Sequence, residues 1–229
     1  MHIFILLILL LAVFVGPQLW IRWVFYRYSA DLSDIPGTGS ELAVHLAKQF
    51  EIQGLIVEET QPNKDHFDSS APAVRLSPNN FHGRSLTAVA VAAHEVGHAI
   101  QWHRNETIFK LRSRYIPLAI RLQRIGIALM SLAPIIGLLT RHPGGVGLPI
   151  VGGIVVAVCG AATYLIVLPE EWDASFNKAM PILINGNYIT EEQQPAVQRI
   201  LRAAALTYAA AALASILQIW RWLPFILRR

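Results

Sequence analysis

Cysteine is almost absent. Cys159 stands alone in 229 residues, inside an apolar run, so no internal disulfide can staple the chain and cysteine usage says nothing about redox compartment. Charge is scarce too: 15% of residues are charged against 54% hydrophobic, which excludes an ordinary soluble domain and places the chain in a membrane. The net charge is a modest +4 with Lys and Arg spread out, which excludes a nucleic-acid-binding basic block. There is no internal repeat. No Asp-Gly pair occurs, which removes the usual signature of intramembrane metalloproteases.

What is present in quantity is long apolar runs. Residues 3–21 carry no charge and end beside Trp20, Arg22, Trp23 and Tyr26, an interfacial pattern of aromatics and arginines. No Lys or Arg precedes this run and no small-x-small site follows it, so a retained anchor is expected rather than a cleaved signal. Residues 116–140 and 146–168, joined by Arg141-His142-Pro143-Gly144-Gly145, read as a transmembrane hairpin, with Gly152-Gly153 and Gly160-Ala161-Ala162 available for tight helix contact. A fourth run, 203–217, ends near Trp220, Trp222 and Arg228-Arg229.

Between the anchor and the hairpin the composition becomes that of a soluble segment. Thr38-Gly39-Ser40-Glu41 is a capping box, and Leu42, Ala43, Leu46, Ala47 and Phe50 form a helical stripe ending near Gly54. Residues 55–59 and 74–77 are short strand candidates separated by a polar stretch, 60–72. One edge of the small sheet they predict could accept a substrate peptide as an added strand. Ser85 is a good N-cap for a helix running to about Trp102. Further on, Met180 to Tyr188 breaks the pattern with Pro181 and Asn185-Gly186, and Thr190-Glu191-Glu192-Gln193 is expected to cap another helix.

The Ser85 helix contains Ala92-Ala93-His94-Glu95-Val96-Gly97-His98-Ala99, the pattern His-Glu-x-x-His among small apolar residues. Positions four apart share a helix face, so His94 and His98 can both present an imidazole nitrogen to one Zn²⁺. Glu95 is badly placed as a third ligand but well placed as general base on an attacking water. Two imidazoles and a carboxylate among Val89-Ala90-Val91-Ala92-Ala93 and Ala99-Ile100 are unfavourable to bury without partners, and a metal supplies one for the imidazoles. His66, His82 and His103 sit where histidines are more often solvated. Asn105-Glu106-Thr107 fits the N-glycosylation pattern, which matters only in a secretory eukaryotic setting.

A catalytic zinc takes three protein ligands and keeps an open position. Nothing like His-x-x-Gly-x-x-His follows His98, where Gln101 and Trp102 stand. Glu170 and Glu171, just past the hairpin, remain as candidates. A two-span hairpin returns the chain to the side it left, which brings this pair back beside the His94 helix.

Glu171-Trp172-Asp173-Ala174-Ser175 is similar to the Glu-aromatic-x-Ala-Asp element of membrane-bound gluzincins of the HtpX type. A closer resemblance is to the YugP-like bacterial membrane-embedded neutral zinc metallopeptidases. It rests on Arg75-Leu76-Ser77-Pro78, Gly83-Arg84-Ser85-Leu86, the run from Ala88 through His94, His98 and Gln101, Leu168-Pro169 with Glu171, and Arg202-Ala203-Ala204-Ala205-Leu206-Thr207-Tyr208, and it extends from about Gly37 to the end. The resemblance implies that His94, His98 and Glu171 bind zinc and that Glu95 activates water, selecting Glu171 over Glu170. Ser175 stands where the HtpX-type element has an Asp that orients a ligand histidine, and could hydrogen-bond from there; Asp173 lies on a different helix face. Tyr208 is a possible oxyanion donor, although it sits in an apolar helix where a structural tyrosine is the commoner case.

The expectation is a mainly α membrane protein with four transmembrane helices and a small α+β zincin-like catalytic portion at the membrane surface. Residues 1–28 would be the anchor, 29–115 the catalytic portion with the sheet and the His94 helix, 116–168 the hairpin, 169–202 the third-ligand segment and its helix, and 203–229 the last transmembrane helix. The activity implied is zinc-dependent endopeptidase action on membrane-associated substrates, in a multi-pass protein of a bacterial membrane. Lys and Arg are more numerous near the spans on the catalytic side, which favours a cytoplasmic active site. The competing readings are an intramembrane metalloprotease and a non-catalytic membrane scaffold with a structural zinc. The sequence names no regulatory partner or oligomeric state.

Overall fold

The computed structural model describes residues 2–140 and 147–207. They divide into two compact units. One comprises residues 17–109 and 169–207, the other the described parts of 1–16 and 110–168.

In the first unit everything is laid around helix α4, Leu86–His103. Ser85 caps it by accepting the Ala88 amide at 3.1 Å, and every residue from Leu86 to Gln101 is buried. A helix with no exposed face needs neighbours on all sides, and the alanines at 88, 90, 92, 93 and 99 let them approach. Helix α2, Gly39–Gln49, packs against it through Leu42, Ala43, Leu46 and Ala47, and its capping box forms as expected, with Thr38 Oγ1 accepting from the Glu41 amide at 3.2 Å and the Thr38 amide donating to Glu41 Oε2 at 2.8 Å. Gly39 is required here: a Cβ would lie 2.2 Å from the Asn80 carbonyl oxygen and 2.9 Å from that of Ala88.

A three-stranded sheet lies beside α4 in the order β1-β3-β2, with β1 (Ile56–Glu59) parallel and β2 (His66–Asp68) antiparallel to β3 (Ala73–Leu76). The outer two strands of the chain order match the expected strand segments, but β2 falls in the polar stretch read as a connection. It has only three residues and no apolar alternation to reveal it. Arg75 on β3 holds it instead, pairing with Asp68 of β2 and Glu58 of β1. The short helix α3, Pro78–His82, leads into α4.

Helix α1, His2–Arg27, delivers its last turns to the same unit: Ile21 and Val24 are buried, and Thr87 Oγ1 donates to the Phe25 carbonyl at 2.9 Å. The second unit holds most of α5 (Thr107–Thr140) and α6 (Gly147–Trp172), which approach closely at two glycines. A Cβ on Gly126 would lie 2.8 Å from the Gly152 oxygen, and one on Gly152 would lie 2.6 Å from the Gly126 oxygen. Leu118, Ile125, Ile127, Val151, Ile154 and Val158 face outward.

Among the described residues one helical stretch, Thr107–Leu132 of 26 residues, is long and apolar enough to cross a membrane, with a shorter apolar helix at Val151–Gly160. This is one clear candidate where the sequence suggested four. The last expected run, 203–217, lies largely outside the described residues, as do most side chains of the run 3–21. The candidate also begins earlier than residue 116, because the helix runs unbroken through the cationic residues ahead of that point. Only 17% of its most apolar window is buried, so it is not the core helix of a soluble fold.

Past Trp172 the chain does not leave the helix. A π-helical segment, Asp173–Ala179, continues directly into α7, Met180–Asn185, so the break expected at residue 180 is displaced to Gly186. The Met180 amide reaches back five residues to the Ser175 carbonyl. That wider turn explains how Pro181 is accommodated, since in a regular α-helix its ring would collide with the carbonyl four residues earlier. Helix α8, Gln194–Ala205, starts later than the predicted cap. Thr190 to Gln193 forms a turn in which only the reciprocal bond of the box appears, from the Thr190 amide to Gln193 Oε1 at 2.9 Å. Pro195, lacking an amide hydrogen, belongs in the first turn and sets this start.

Candidate metal centre

His94 and His98 lie one turn apart on α4 with ring centroids 4.7 Å apart, edge to face. Glu171, from the end of α6, brings its carboxylate between them: Oε2 is 3.2 Å from His94 Nε2 and 3.3 Å from His98 Nε2. One ligand atom from each of the three residues lies within 4.8 Å of the others, and all three residues are buried. Gly97 makes the approach possible. A Cβ there would stand 2.8 Å from the Ala174 carbonyl oxygen, so the first turn of the π segment can lie against α4 only where this side chain is missing.

The protonation of His94 can be read from its neighbours. Ser175 Oγ donates its single hydrogen to the Leu201 carbonyl at 3.2 Å and therefore accepts from His94 Nδ1, 3.0 Å away. The Nδ1 hydrogen is held there, and Nε2 faces Glu171, where it offers a lone pair once a metal replaces the hydrogen it shares with the carboxylate. His98 Nδ1 is likewise taken up, by Gln101 Oε1 at 2.9 Å, which also leaves Nε2 pointing inward. Two neutral imidazole nitrogens and one carboxylate oxygen, buried and convergent, suit Zn²⁺. Burial alone would raise the Glu171 carboxyl; the imidazoles of His98 and His94 outweigh it and hold the group well below the usual carboxylate range, in the ionised form that a ligand needs.

Glu95 is beside this cluster, not in it. Burial pushes its carboxyl from 4.5 up to about 7; the charge of His94 opposes this, those of Glu171 and Asp65 add to it, and a hydrogen bond from the Phe67 amide of β2 moderates it. A carboxylate near neutrality is suited to take and return a proton at physiological pH.

The other anticipated residues fall as follows. Ser175 is on His94. Asp173 touches neither histidine and instead accepts from Gln101 Nε2 at 2.8 Å. Glu170 is fully buried with Oε1 3.6 Å from His98 Nδ1, on the outer side of that ring. His82 pairs with Glu59 at 2.8 Å and His66 Nδ1 lies 2.6 Å from the Lys64 carbonyl, so neither joins the cluster; His103 is exposed at the end of α4. Tyr208 lies outside the described residues. Gln101 and the Phe67 amide were not singled out from sequence. Gln101 is three residues after His98 and so on the same helix face, a signal open to an i, i+3 reading; a backbone amide leaves no such trace.

A buried two-histidine, one-glutamate cluster that could hold a metal ion, with a glutamate of raised pKa beside it, is the kind of arrangement that zinc peptidases use. The chain belongs to the family described as "Putative neutral zinc metallopeptidase", whose model matches residues 3–227. It is 32% identical over 217 residues, 92% of this chain and 90% of the relative, to the "Putative membrane protease YugP" of Bacillus subtilis (strain 168). No solved structure matches it.

Proposed function

We propose that this protein is an integral membrane gluzincin, a zinc endopeptidase that hydrolyses peptide bonds of membrane-associated substrates close to the bilayer surface. The observation that carries the reading is the convergence of His94 Nε2, His98 Nε2 and Glu171 Oε2 with Glu95 alongside. Zn²⁺ held by these three residues would supply Lewis-acid polarisation of the scissile carbonyl and the attacking water. Glu95 takes a proton from that water onto its carboxylate and returns it to the leaving amine; the burial that raises its carboxyl in the metal-free chain favours its holding a proton between the two transfers. Ser175 and Gln101 keep the two imidazoles in the tautomer that offers Nε2. Among the described residues β2 pairs with β3 alone, so its other edge is open to an extended substrate, and the Phe67 amide on that strand already reaches Glu95.

The membrane setting follows from the family, the exposed apolar helix and the sequence runs 3–21, 116–140, 146–168 and 203–217, which we read as four spans. Glu171 follows the third run by three residues, which puts the chemistry at the interface and directs it to loops, termini and damaged segments of membrane proteins. Arg22, Arg27, Lys110, Arg112, Arg114, Arg121, Arg124, Lys178, Arg199 and Arg202 favour a cytoplasmic catalytic side over Arg141, Arg221, Arg228 and Arg229. A cysteine introduced by His142→Cys should then be labelled from outside intact cells; protection of that position would reverse the orientation.

The decisive comparison is wild type against Glu95→Gln in lipid. Activity should fall by about 10²–10⁴-fold while zinc content is retained, and membrane proteins should accumulate on the inactive variant. Equal cleavage by the two would refute the mechanism, and undiminished activity on a soluble unfolded protein in lipid-free detergent would refute the substrate class.

A further inference from the structure

The two imidazoles are oriented by different means. His94 leans on one hydroxyl, whereas His98 leans on an amide that is itself the inner end of a buried polar line. Gln101 is fully buried. Its Oε1 meets His98 Nδ1 at 2.9 Å, and its Nε2 donates both hydrogens, one to the Glu170 carbonyl at 3.0 Å and one to Asp173 Oδ2 at 2.8 Å. Those two partners are acceptors only, so the amide can face one way alone and Oε1 must be the atom at His98. Asp173 in turn accepts from Asn177 Nδ2 at 2.8 Å through Oδ1 and from Lys178 Nζ through Oδ2. Lys178, which is buried, also binds Glu106 Oε2 at 2.9 Å. The π turn that spaces residues 173 to 179 is what sets Asp173 and Lys178 on this line.

Such a line is unfavourable to bury for packing alone, since each polar group must find its partner in low dielectric. Its inner end is one specific ring nitrogen. We propose that Gln101, braced by Asp173 and Lys178, is a positioning residue that fixes the tautomer and ring angle of His98 and thereby sets the affinity of the site for zinc. This rests on the reading of His94, His98 and Glu171 as a zinc site. Glu170 does not substitute for it, because its carboxylate oxygen is 3.6 Å from the same nitrogen, beyond hydrogen-bond distance.

The test uses the full chain in detergent and lipid, stripped of metal, titrated with Zn²⁺ against a chromophoric chelator and separately loaded with Co²⁺ for visible absorption. Gln101→Leu should weaken zinc binding by about 10–100-fold and change the Co²⁺ spectrum, with the metal-free thermal midpoint recorded alongside. Asp173→Leu should weaken binding in the same direction, and Asp173→Asn, which keeps an acceptor for Gln101, should restore it to within a few-fold of wild type. Wild-type affinity and spectrum in Gln101→Leu would overturn the proposal. Should that variant not fold, equal affinity in Asp173→Leu and Asp173→Asn would overturn it. His98→Ala separates the two levels: if it binds zinc like wild type, the metal site itself is misassigned.

Discussion

The two units of the chain use the same device for opposite ends. Around α4, glycine and alanine let helices close on polar groups: Gly97 admits the π segment, and with it Ser175, to the back of His94. Between α5 and α6, Gly126 and Gly152 also let backbones touch, but the side chains left over are Leu118, Ile125, Ile154 and Val158, turned outward. One unit therefore hides its polar residues and the other displays its apolar ones. Close backbone approach says nothing about function by itself; what the approach encloses does.

The largest expected effect that could break this contrast is on the displayed side. Val158 is 61% exposed and near the middle of the 146–168 run, so Val158→Lys should disfavour insertion by about 2.5–3.5 kcal/mol. Carbonate extraction of membranes should release far more of this variant than of wild type, while zinc binding by the detergent-purified protein is unchanged. Wild-type insertion would mean that this face does not meet lipid.

On the hidden side the comparable effect depends on pH. The Glu95 carboxyl is raised from 4.5 to about 7 in the folded, metal-free chain, so folding favours its protonated form. Its stability contribution is complete below about 4.5 and is lost as pH rises through about 7, a change of roughly 3 kcal/mol. Glu171 is shifted the other way, and its contribution is lost in acid as pH falls through its lowered value, outside this window. Metal-free Glu95→Gln should therefore match wild type near pH 4.5 and melt higher at pH 8. Identical melting of the two across that range would show that Glu95 is solvated and not enclosed.

How much of this was legible beforehand follows from what each feature depends on. The capping box at Thr38 and the N-cap at Ser85 are local, and both appear where the sequence put them. The His94 and His98 pairing is a matter of helix period, and Ser175 came from a pattern one turn after Glu171. Strand β2 was hidden because what holds it lies on another strand: β3 pairs with its backbone and supplies Arg75 to its Asp68. The π segment was hidden because Pro181 reads as a stop, and only a five-residue reach from Met180 to Ser175 turns it into a continuation. Gln101 rules out a third histidine at that place, and its contact with His98 Nδ1 shows only in the structure, although the spacing of three residues is compatible with it. Features that need two distant segments at once left no local mark.

The smallest effect sharpens the comparison within a single residue type. Gly97→Ala places a Cβ 2.8 Å from the Ala174 carbonyl oxygen, a backbone atom that can move only if the π segment moves. Overpacking of this kind costs about 1–3 kcal/mol, and the displacement would lengthen the Ser175 contact to His94, so zinc affinity should fall together with thermal stability. Gly153→Ala in α6 meets nothing within 4 Å and replaces a flexible helix residue with the best helix former. It should leave zinc affinity untouched and raise stability by roughly 0.5–1 kcal/mol. The same substitution is thus expected to change sign between the two units. If Gly97→Ala were instead as benign as Gly153→Ala, with unchanged zinc affinity, then the π segment would not depend on contact with α4, and the distance between Ser175 and His94 would have to be maintained from α8 through Leu201 alone.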